Sequence, residues 1–166
     1  MHEKVGLLAG CLFLGVALLL GVCAAEGRAA PPPGQFTVNA NGTVTDNRTG
    51  LVWQREVLVN DYRTHAQALS YCGGLPLGGL SGWRLPEVLE LRSIVDEGRS
   101  APAIDPSVFP DTDAGNFGYW TATTTRFIPF PEIPAYEVPG AWRVEFGLGN
   151  VDSGDASGLS AVRCVR

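Results

Sequence analysis

The longest apolar run of the chain, Val5–Ala25, predicts an export signal rather than part of a folded core. A short charged start precedes the run and a small-residue stretch ending at Ala30 follows it, which is the order of a cleavable signal peptide. Residues 1–30 are therefore predicted to be a signal peptide, and the proline-rich residues 31–35 a linker. Two alternatives remain: a lipoprotein anchored at Cys23, and an uncleaved membrane anchor, since the run is about long enough to span a bilayer.

The first patterned stretch after the linker has the composition of β-strands. β-Prone residues at Gln35–Asn39 and Thr43–Thr45 precede the turn-forming sequence Asp46–Gly50, and those at Leu51–Gln54 follow it, which predicts a hairpin. Because side chains alternate between the two faces of a strand, Leu51 and Trp53 share one face. We expect both residues to be buried.

A short helix is predicted next. Thr64 and Gln67 are spaced as in a capping box, in which the threonine begins the helix and the glutamine bonds back to it. The glycine pair at 73–74 ends the helix, so that Cys72 lies in its last turn. The apolar positions with helical spacing are Ala66, Leu69 and Cys72.

A second short helix is predicted after Pro86, because proline suits the first turn of a helix. Glu87 and Glu90 complement the positive end of the helix dipole. Residues 96–98 are expected to end the helix. Its apolar stripe consists of Val88, Leu91 and Val95.

Three strands are predicted in the rest of the chain. Tyr119–Thr125 is rich in β-prone residues, and Ser160–Val165 forms the last strand. Between them, residues 142–146 alternate apolar and polar side chains. The three side chains expected to face the core are Trp142, Val144 and Phe146.

The strands are separated by segments without periodicity. Residues 97–118 and 126–140 are predicted to be long loops, and residues 147–158 a turn. A hairpin, two helices and later strands predict an α+β domain over residues 36–166, with two short helices on a small antiparallel sheet.

The net charge of the chain limits the classes of partner that it is expected to bind. After Arg28 the sequence has ten arginines, no lysine and fifteen acidic residues, a net charge of −5. Nucleic acids and anionic membrane surfaces are bound by clustered positive charge. We therefore expect no nucleic-acid partner and no membrane contact beyond the signal segment.

Several side chains have predicted structural roles. Cys72 and Cys164 are the two cysteines outside the signal segment, and in an exported domain they predict one disulfide. Core packing is expected of the tryptophans Trp53, Trp83, Trp120 and Trp142. Pairing with carboxylates such as Glu90 is expected of the arginines Arg84, Arg163 and Arg166.

Catalytic chemistry finds little support in the sequence. It has no Gly-x-Ser-x-Gly motif, and His65, in the first turn of a helix, is assigned a surface role. We predict no catalytic residue and no cofactor. Asp111 and Asp113 are weak calcium candidates, but the segment lacks the ligand order of an EF-hand, so an ordinary turn without metal is favoured.

Seven stretches of the chain, taken in order, carry a family resemblance: Val44–Gln54, Ala66–Cys72, Leu77–Leu91, Pro102–Pro110, Tyr119–Thr123, Ala141–Phe146 and Val162–Arg166. Together they resemble the Lcl C-terminal domain family, named for the end domain of a bacterial collagen-like adhesin. The resemblance implies a C-type-lectin-like fold in which a helix cysteine is bridged to the last strand, and Cys72 and Cys164 occupy those places. Glu87 departs from the family, which often has threonine or serine there, and predicts a weaker helix cap.

The leading functional hypothesis is an exported, noncatalytic binding domain in the periplasm or at the cell surface. It would present loops 97–118 and 126–140 to a glycan or protein partner. Phe127, Phe130 and Tyr136 in the second loop are the candidate binding residues. The alternatives are a carboxylate-based glycoside hydrolase and a structural envelope protein, and the oligomeric state is left open.

Overall fold

The computed structural model describes residues 30–58, 60–115, 117–130, 132–133 and 136–166. The predicted signal peptide, apart from Ala30, therefore lies outside the described residues, as do the alternatives of a lipoprotein at Cys23 and of a membrane anchor. Within the described ranges, no helix has the length and apolar character needed to cross a membrane.

The predicted hairpin is part of a three-stranded antiparallel sheet. Its strands are β1 (Phe36–Val38), β2 (Thr43–Asp46) and β3 (Val52–Gln54), in that order. The carboxylate of Asp46 holds the β2–β3 turn by accepting hydrogen bonds from the Arg48 amide (2.9 Å) and the Thr49 hydroxyl (2.8 Å). Trp53 is buried as predicted, whereas Leu51 is only half-buried and packs against the edge of the core.

Helix α1 (His65–Gly73) begins with the predicted capping box at Thr64, which is confirmed. The predicted apolar stripe is wrong, because Leu69 is exposed and the buried side chains are His65, Ala68 and Cys72. These three residues are spaced i, i+3 and i+7 and therefore lie on one face of the helix. The burial of Cys72 places that face against the core. The surface role predicted for His65 is also wrong: its Nε2 lies 2.9 Å from the carbonyl oxygen of Thr121.

Helix α2 (Val88–Arg92) is shorter than predicted, since it ends at Arg92 and not at residues 96–98. The chain leaves the helix because the Asp96 amide donates to the carbonyl of Ala103 (2.9 Å). At the N-terminal end of α2, where the family often has a threonine or serine in place of Glu87, a hydroxyl from another strand caps the helix. The Oγ1 of Thr123 accepts a hydrogen bond from the Val88 amide (3.0 Å).

A second three-stranded antiparallel sheet follows, with strands β4 (Tyr119–Phe127), β5 (Val138–Glu145) and β6 (Asn150–Asp155) in that order. The turn predicted at 147–158 is wrong in extent, because β6 lies within it. Gly149 has a φ of +79° and allows a tight return, after which β6 pairs with β5 although its own sequence is rich in turn-forming residues. The α+β class with two short helices is confirmed.

The C-terminal segment does not form the regular strand predicted at Ser160–Val165. It makes isolated bridges to four separate parts of the chain, through Ser160, Ala161 and Val165. The bridged residues are Arg63, Tyr119, Trp53 and Arg84. The segment therefore joins both sheets and the loops around them.

The core consists of two clusters, and the C-terminal segment contributes to both. Trp83 and Trp120 are buried as predicted, but Trp142 is only half-buried. The main buried side chains of the first cluster are Val44, Trp53, Leu91, Ile94, Ile104, Phe109, Tyr119, Val144, Phe146 and Val165. Those of the second are Ala68, Cys72, Trp83, Leu85, Trp120, Ala141, Val162 and Cys164.

The predicted disulfide joins Cys72 of α1 to Cys164, with the two Cα atoms 5.4 Å apart. Both cysteines are fully buried in the second cluster. The bond closes a loop with a sequence separation of 92 residues, so it limits the unfolded chain strongly.

Arg163 is fully buried and does not form the predicted ion pair with a carboxylate. Its Nη1 donates to the carbonyl oxygens of Gln54 (2.7 Å) and Arg55 (2.6 Å), and its Nη2 to the hydroxyl of Thr112 (2.8 Å). The guanidinium also lies 5.0 Å from the ring centre of Phe109. Burial lowers the pKa of Arg163.

The other two arginines differ from Arg163. Arg84 pairs with Glu90 as predicted, through two contacts of 2.7 Å, and the hydrogen bond from Arg84 lowers the pKa of Glu90. Arg166 is joined to Val52 through main-chain hydrogen bonds.

Replacing both Cys72 and Cys164 by alanine should lower the free energy of unfolding by roughly 4–5 kcal/mol, because the loop between them loses its covalent closure. Denaturant unfolding of the double variant, beside oxidised and reduced wild type, measures the difference. Peptide mapping without reductant should recover the linked pair. Free thiols in the folded wild-type protein would contradict the disulfide.

Arg163→Met should cost about 3 kcal/mol, because it leaves the carbonyls of Gln54 and Arg55 without their buried donor. The matched control is Arg126→Met, whose side chain is 76% exposed and which should change stability by less than about 0.5 kcal/mol. Equal stability of the two variants in denaturant unfolding would show that the buried guanidinium is dispensable.

Candidate functional site

The first predicted loop contains the two calcium candidates, and the structure places them on a turn held by the chain itself. Thr112, between them, accepts from Arg163. The Asp113 carboxylate accepts from the Tyr62 hydroxyl (2.6 Å) and from the Gly115 amide (2.6 Å). Asp111 is exposed and has a φ of +58°.

These contacts use both carboxylate oxygens of Asp113 within the protein. In the part of the chain that the structure describes, no group of three His, Cys, Asp or Glu side chains is arranged to hold a metal ion. The turn is thus fixed by neutral donors and by the buried Arg163 cation.

Tyrosine hydroxyls link this turn to the core. The hydrogen bond to Asp113 raises the pKa of Tyr62, and burial raises the pKa of Tyr119, whose oxygen accepts from the Asp113 amide (2.7 Å). The ring of Tyr62 also packs on Phe117 at 4.7 Å between centroids. Phe117 and Leu58 are the exposed apolar side chains beside this turn.

The second loop is shorter than the predicted 126–140. β4 continues to Phe127 and β5 begins at Val138, and these two residues are paired in the sheet. Phe127 is half-buried. Its Cβ lies so close to Gly140 that a Cβ built on this glycine would be only 2.7 Å away. Phe127 therefore packs against the sheet rather than lying in the loop.

Phe130 and Tyr136, in contrast, lie together on the surface. Their ring centroids are 5.7 Å apart with an angle of 47° between the planes, and about half of each side chain is exposed (49% and 52%). Two backbone hydrogen bonds link the described residues between them, from the Ile133 amide to the Phe130 carbonyl (2.8 Å) and from the Tyr136 amide to the Ile133 carbonyl (2.9 Å).

Two isoleucines extend this exposed area, and the sequence analysis did not single them out. We refer to the four large apolar side chains that the loop exposes as the apolar loop surface: Ile128, Phe130, Ile133 and Tyr136. Large exposed hydrophobic side chains occur at eleven of the described positions, and four of them fall within this short loop. Such concentrations of exposed apolar area mark interaction sites.

A shallow groove of about 350 Å³ adjoins the apolar loop surface at Tyr136. Asp155, at the end of β6, supplies its carboxylate, whose Oδ1 accepts from the amide (2.8 Å) and hydroxyl (2.7 Å) of Ser157. The place of Asp155 beside Tyr136 was not predicted from sequence, because β6 was assigned to a turn. The groove is lined by Tyr136, Val138, Pro139, Asp155, Ala156 and Ser157.

Another concave region, of about 560 Å³, contains the carboxylates of Glu145 and Asp152. Each is already occupied by donors of the chain. Glu145 accepts from the amides of Gly147 and Leu148, and Asp152 accepts two hydrogen bonds from Arg143 (3.0 and 2.7 Å).

Tyr62→Phe should destabilise the domain in a pH-dependent way. Because the pKa of Tyr62 is raised in the folded state, its hydrogen bond to Asp113 stabilises the fold below the ordinary phenol pKa of 10.0 and is lost as the pH rises through the raised pKa. The variant should therefore melt below wild type at neutral pH, and the gap should narrow above about pH 10. Tyr136→Phe, on the exposed surface, is the control; a gap independent of pH would contradict this role of Tyr62.

Comparisons with known proteins give a family and a structural similarity. No curated protein sequence matches the chain. Among solved structures, the crystal structure of botrocetin is similar, with a TM-score of 0.44 and 9% sequence identity, over 82% of this chain and 98% of botrocetin.

The family comparison is more extensive. The model of the Lcl C-terminal domain matches residues 42–166, which include both sheets except β1, both helices and the disulfide. The match spans about three quarters of the sequence and confirms the predicted resemblance. The chain therefore belongs to the Lcl C-terminal domain family.

Proposed function

We propose that this protein is an exported, noncatalytic binding domain that holds a glycan or protein partner on the apolar loop surface. The observation that carries the proposal is the exposed pair of Phe130 and Tyr136, whose rings lie 5.7 Å apart on the loop between β4 and β5. Aromatic side chains supply large contact areas with few rotatable bonds.

The surroundings of this pair favour binding over chance exposure. The loop begins and ends on paired residues of the sheet, Phe127 and Val138, and its two internal turns limit its conformations. The sequence of the loop also contains Pro129, Pro131 and Pro134. A loop restricted before binding loses less entropy when a partner orders it.

The side chains that most often perform catalysis support a noncatalytic role. Both Cys72 and Cys164 are consumed by the disulfide, and His65 is buried, with its Nε2 on a backbone carbonyl. A glycoside hydrolase needs one protonated and one ionised carboxyl group facing its substrate. Glu145 and Asp152, which line one concave region together, are instead bound by donors of the chain.

Export is supported by the disulfide, since such bonds persist in oxidising compartments. The apolar run before residue 30 gives the same indication from sequence. The proposal places the domain in the periplasm or at the cell surface.

Phe130→Ala and Tyr136→Ala test the proposal. Ligands are first selected with the disulfide-bonded protein on a glycan array and from a displayed library of random short peptides. Each substitution should weaken the selected ligand about tenfold or more, as truncation of an interface aromatic does, while the melting temperature stays unchanged. The matched control is Leu89→Ala on α2, whose side chain is 76% exposed and which should bind like wild type.

Three outcomes would contradict the proposal. Ligands that bind both variants and wild type equally would place the site elsewhere. A large loss of stability in the variants would show that the two rings belong to the core. Absence of any ligand would favour the structural envelope role, and turnover of a glycan that is lost in Glu145→Gln or Asp152→Asn would favour the hydrolase.

A further inference from the structure

We propose that the partner of the apolar loop surface is a protein segment that presents basic side chains next to apolar ones. This inference rests on the proposed function and gives its partner a chemical class. It follows from the charges that surround the four apolar side chains.

Acidic groups predominate around this surface. Glu132 lies within the turn from Phe130 to Ile133 and is exposed, Glu137 follows Tyr136, and Asp155 lies in the adjoining groove. Between residues 126 and 139 the sequence contains one basic residue, Arg126. Residues 126–139 therefore carry two carboxylates and one guanidinium, and Asp155 adds a third carboxylate from the groove.

The single guanidinium does not neutralise these carboxylates. The Nη1 of Arg126 lies 3.8 Å from the Oε2 of Glu137, at the outer limit of an ion pair, and both side chains are largely exposed. Glu132 forms no ion pair with any residue in the described ranges. In Asp155 both hydrogen bonds go to Oδ1, which leaves Oδ2 facing no donor of the described chain.

The groove has the chemistry to receive an arginine or lysine side chain. The Tyr136 ring offers a face for cation–π contact, and the Asp155 carboxylate offers a charged acceptor in the same groove. The apolar parts of the partner would then cover the isoleucines and Phe130. An ion pair at this rim adds modest affinity but strong selectivity for sign, because like charges repel.

A protein segment fits this surface better than a glycan does. Sugar rings stack flat on one aromatic face, whereas the Phe130 and Tyr136 planes are inclined by 47°, and the same loop also exposes two branched aliphatic side chains. A sulfated glycan would in addition meet the three carboxylates and a domain of net charge −5. Aliphatic and basic side chains match both features.

Peptides selected from the displayed library test the inference, with heparin and a neutral glycan array as alternative probes. Enriched peptides should contain arginine or lysine beside aromatic or aliphatic residues. Their affinity should fall about two- to fivefold for each of Glu132→Gln, Glu137→Gln and Asp155→Asn, as for exposed ion pairs, and should fall further as salt is raised. The matched control is Glu97→Gln, an exposed carboxylate outside both the loop and the groove.

The outcomes separate this inference from the proposed function. The inference would be overturned if peptides that depend on Phe130 and Tyr136 for binding lacked basic residues. It would also be overturned if their affinity did not change in the three charge-neutralising variants. In both cases the proposed function would stand. Heparin or neutral glycans as the only ligands that need the two rings would do the same. Failure of every probe to depend on Phe130 and Tyr136 would overturn both.

Discussion

Burial of one short segment, residues 160–165, is the constraint on which the rest of the structure depends. Cys164 is bonded to helix α1, and Val165 bridges to both Trp53 and Arg84. Arg163 lies between these apolar neighbours, and its charged guanidinium is buried in the core, where it donates hydrogen bonds to main-chain carbonyls. A buried cation without those acceptors would cost several kcal/mol, so the β3 end and the Thr112 turn must take up their positions for the segment to be buried at all.

Local signals in the sequence were sufficient where the structure is determined locally. The Thr64–Gln67 spacing specifies a helix start through bonds among four consecutive residues, and the turn after Asp46 is equally self-contained. Predictions from these local signals were wrong where contacts between distant residues determine the structure. Which face of α1 is buried depends on the bond from Cys72, β6 exists because β5 offers it hydrogen bonds, and Arg163 is paired with carbonyls that are more than a hundred positions away.

The candidate site shows the same division. Phe130 and Tyr136 could be singled out from a proline-rich loop, and the structure places both on the surface. Phe127 has the same composition signal, but strand pairing with Val138 takes it into the sheet. The place of Asp155 in the same groove as Tyr136 could not be predicted from sequence, because it follows from the register of β6 on β5.

The irregularity in β4 has a consequence for how the domain folds. The register of β4 on β5 shifts between Trp120 and Thr124, and the residues released there dock on the start of α2: the Ala122 amide donates to the Pro86 carbonyl (2.7 Å), and Thr123 caps Val88. A five-residue helix cannot nucleate alone. Helix α2 and this sheet therefore form one cooperative unit, and amide hydrogens on both should exchange with solvent through the same opening event.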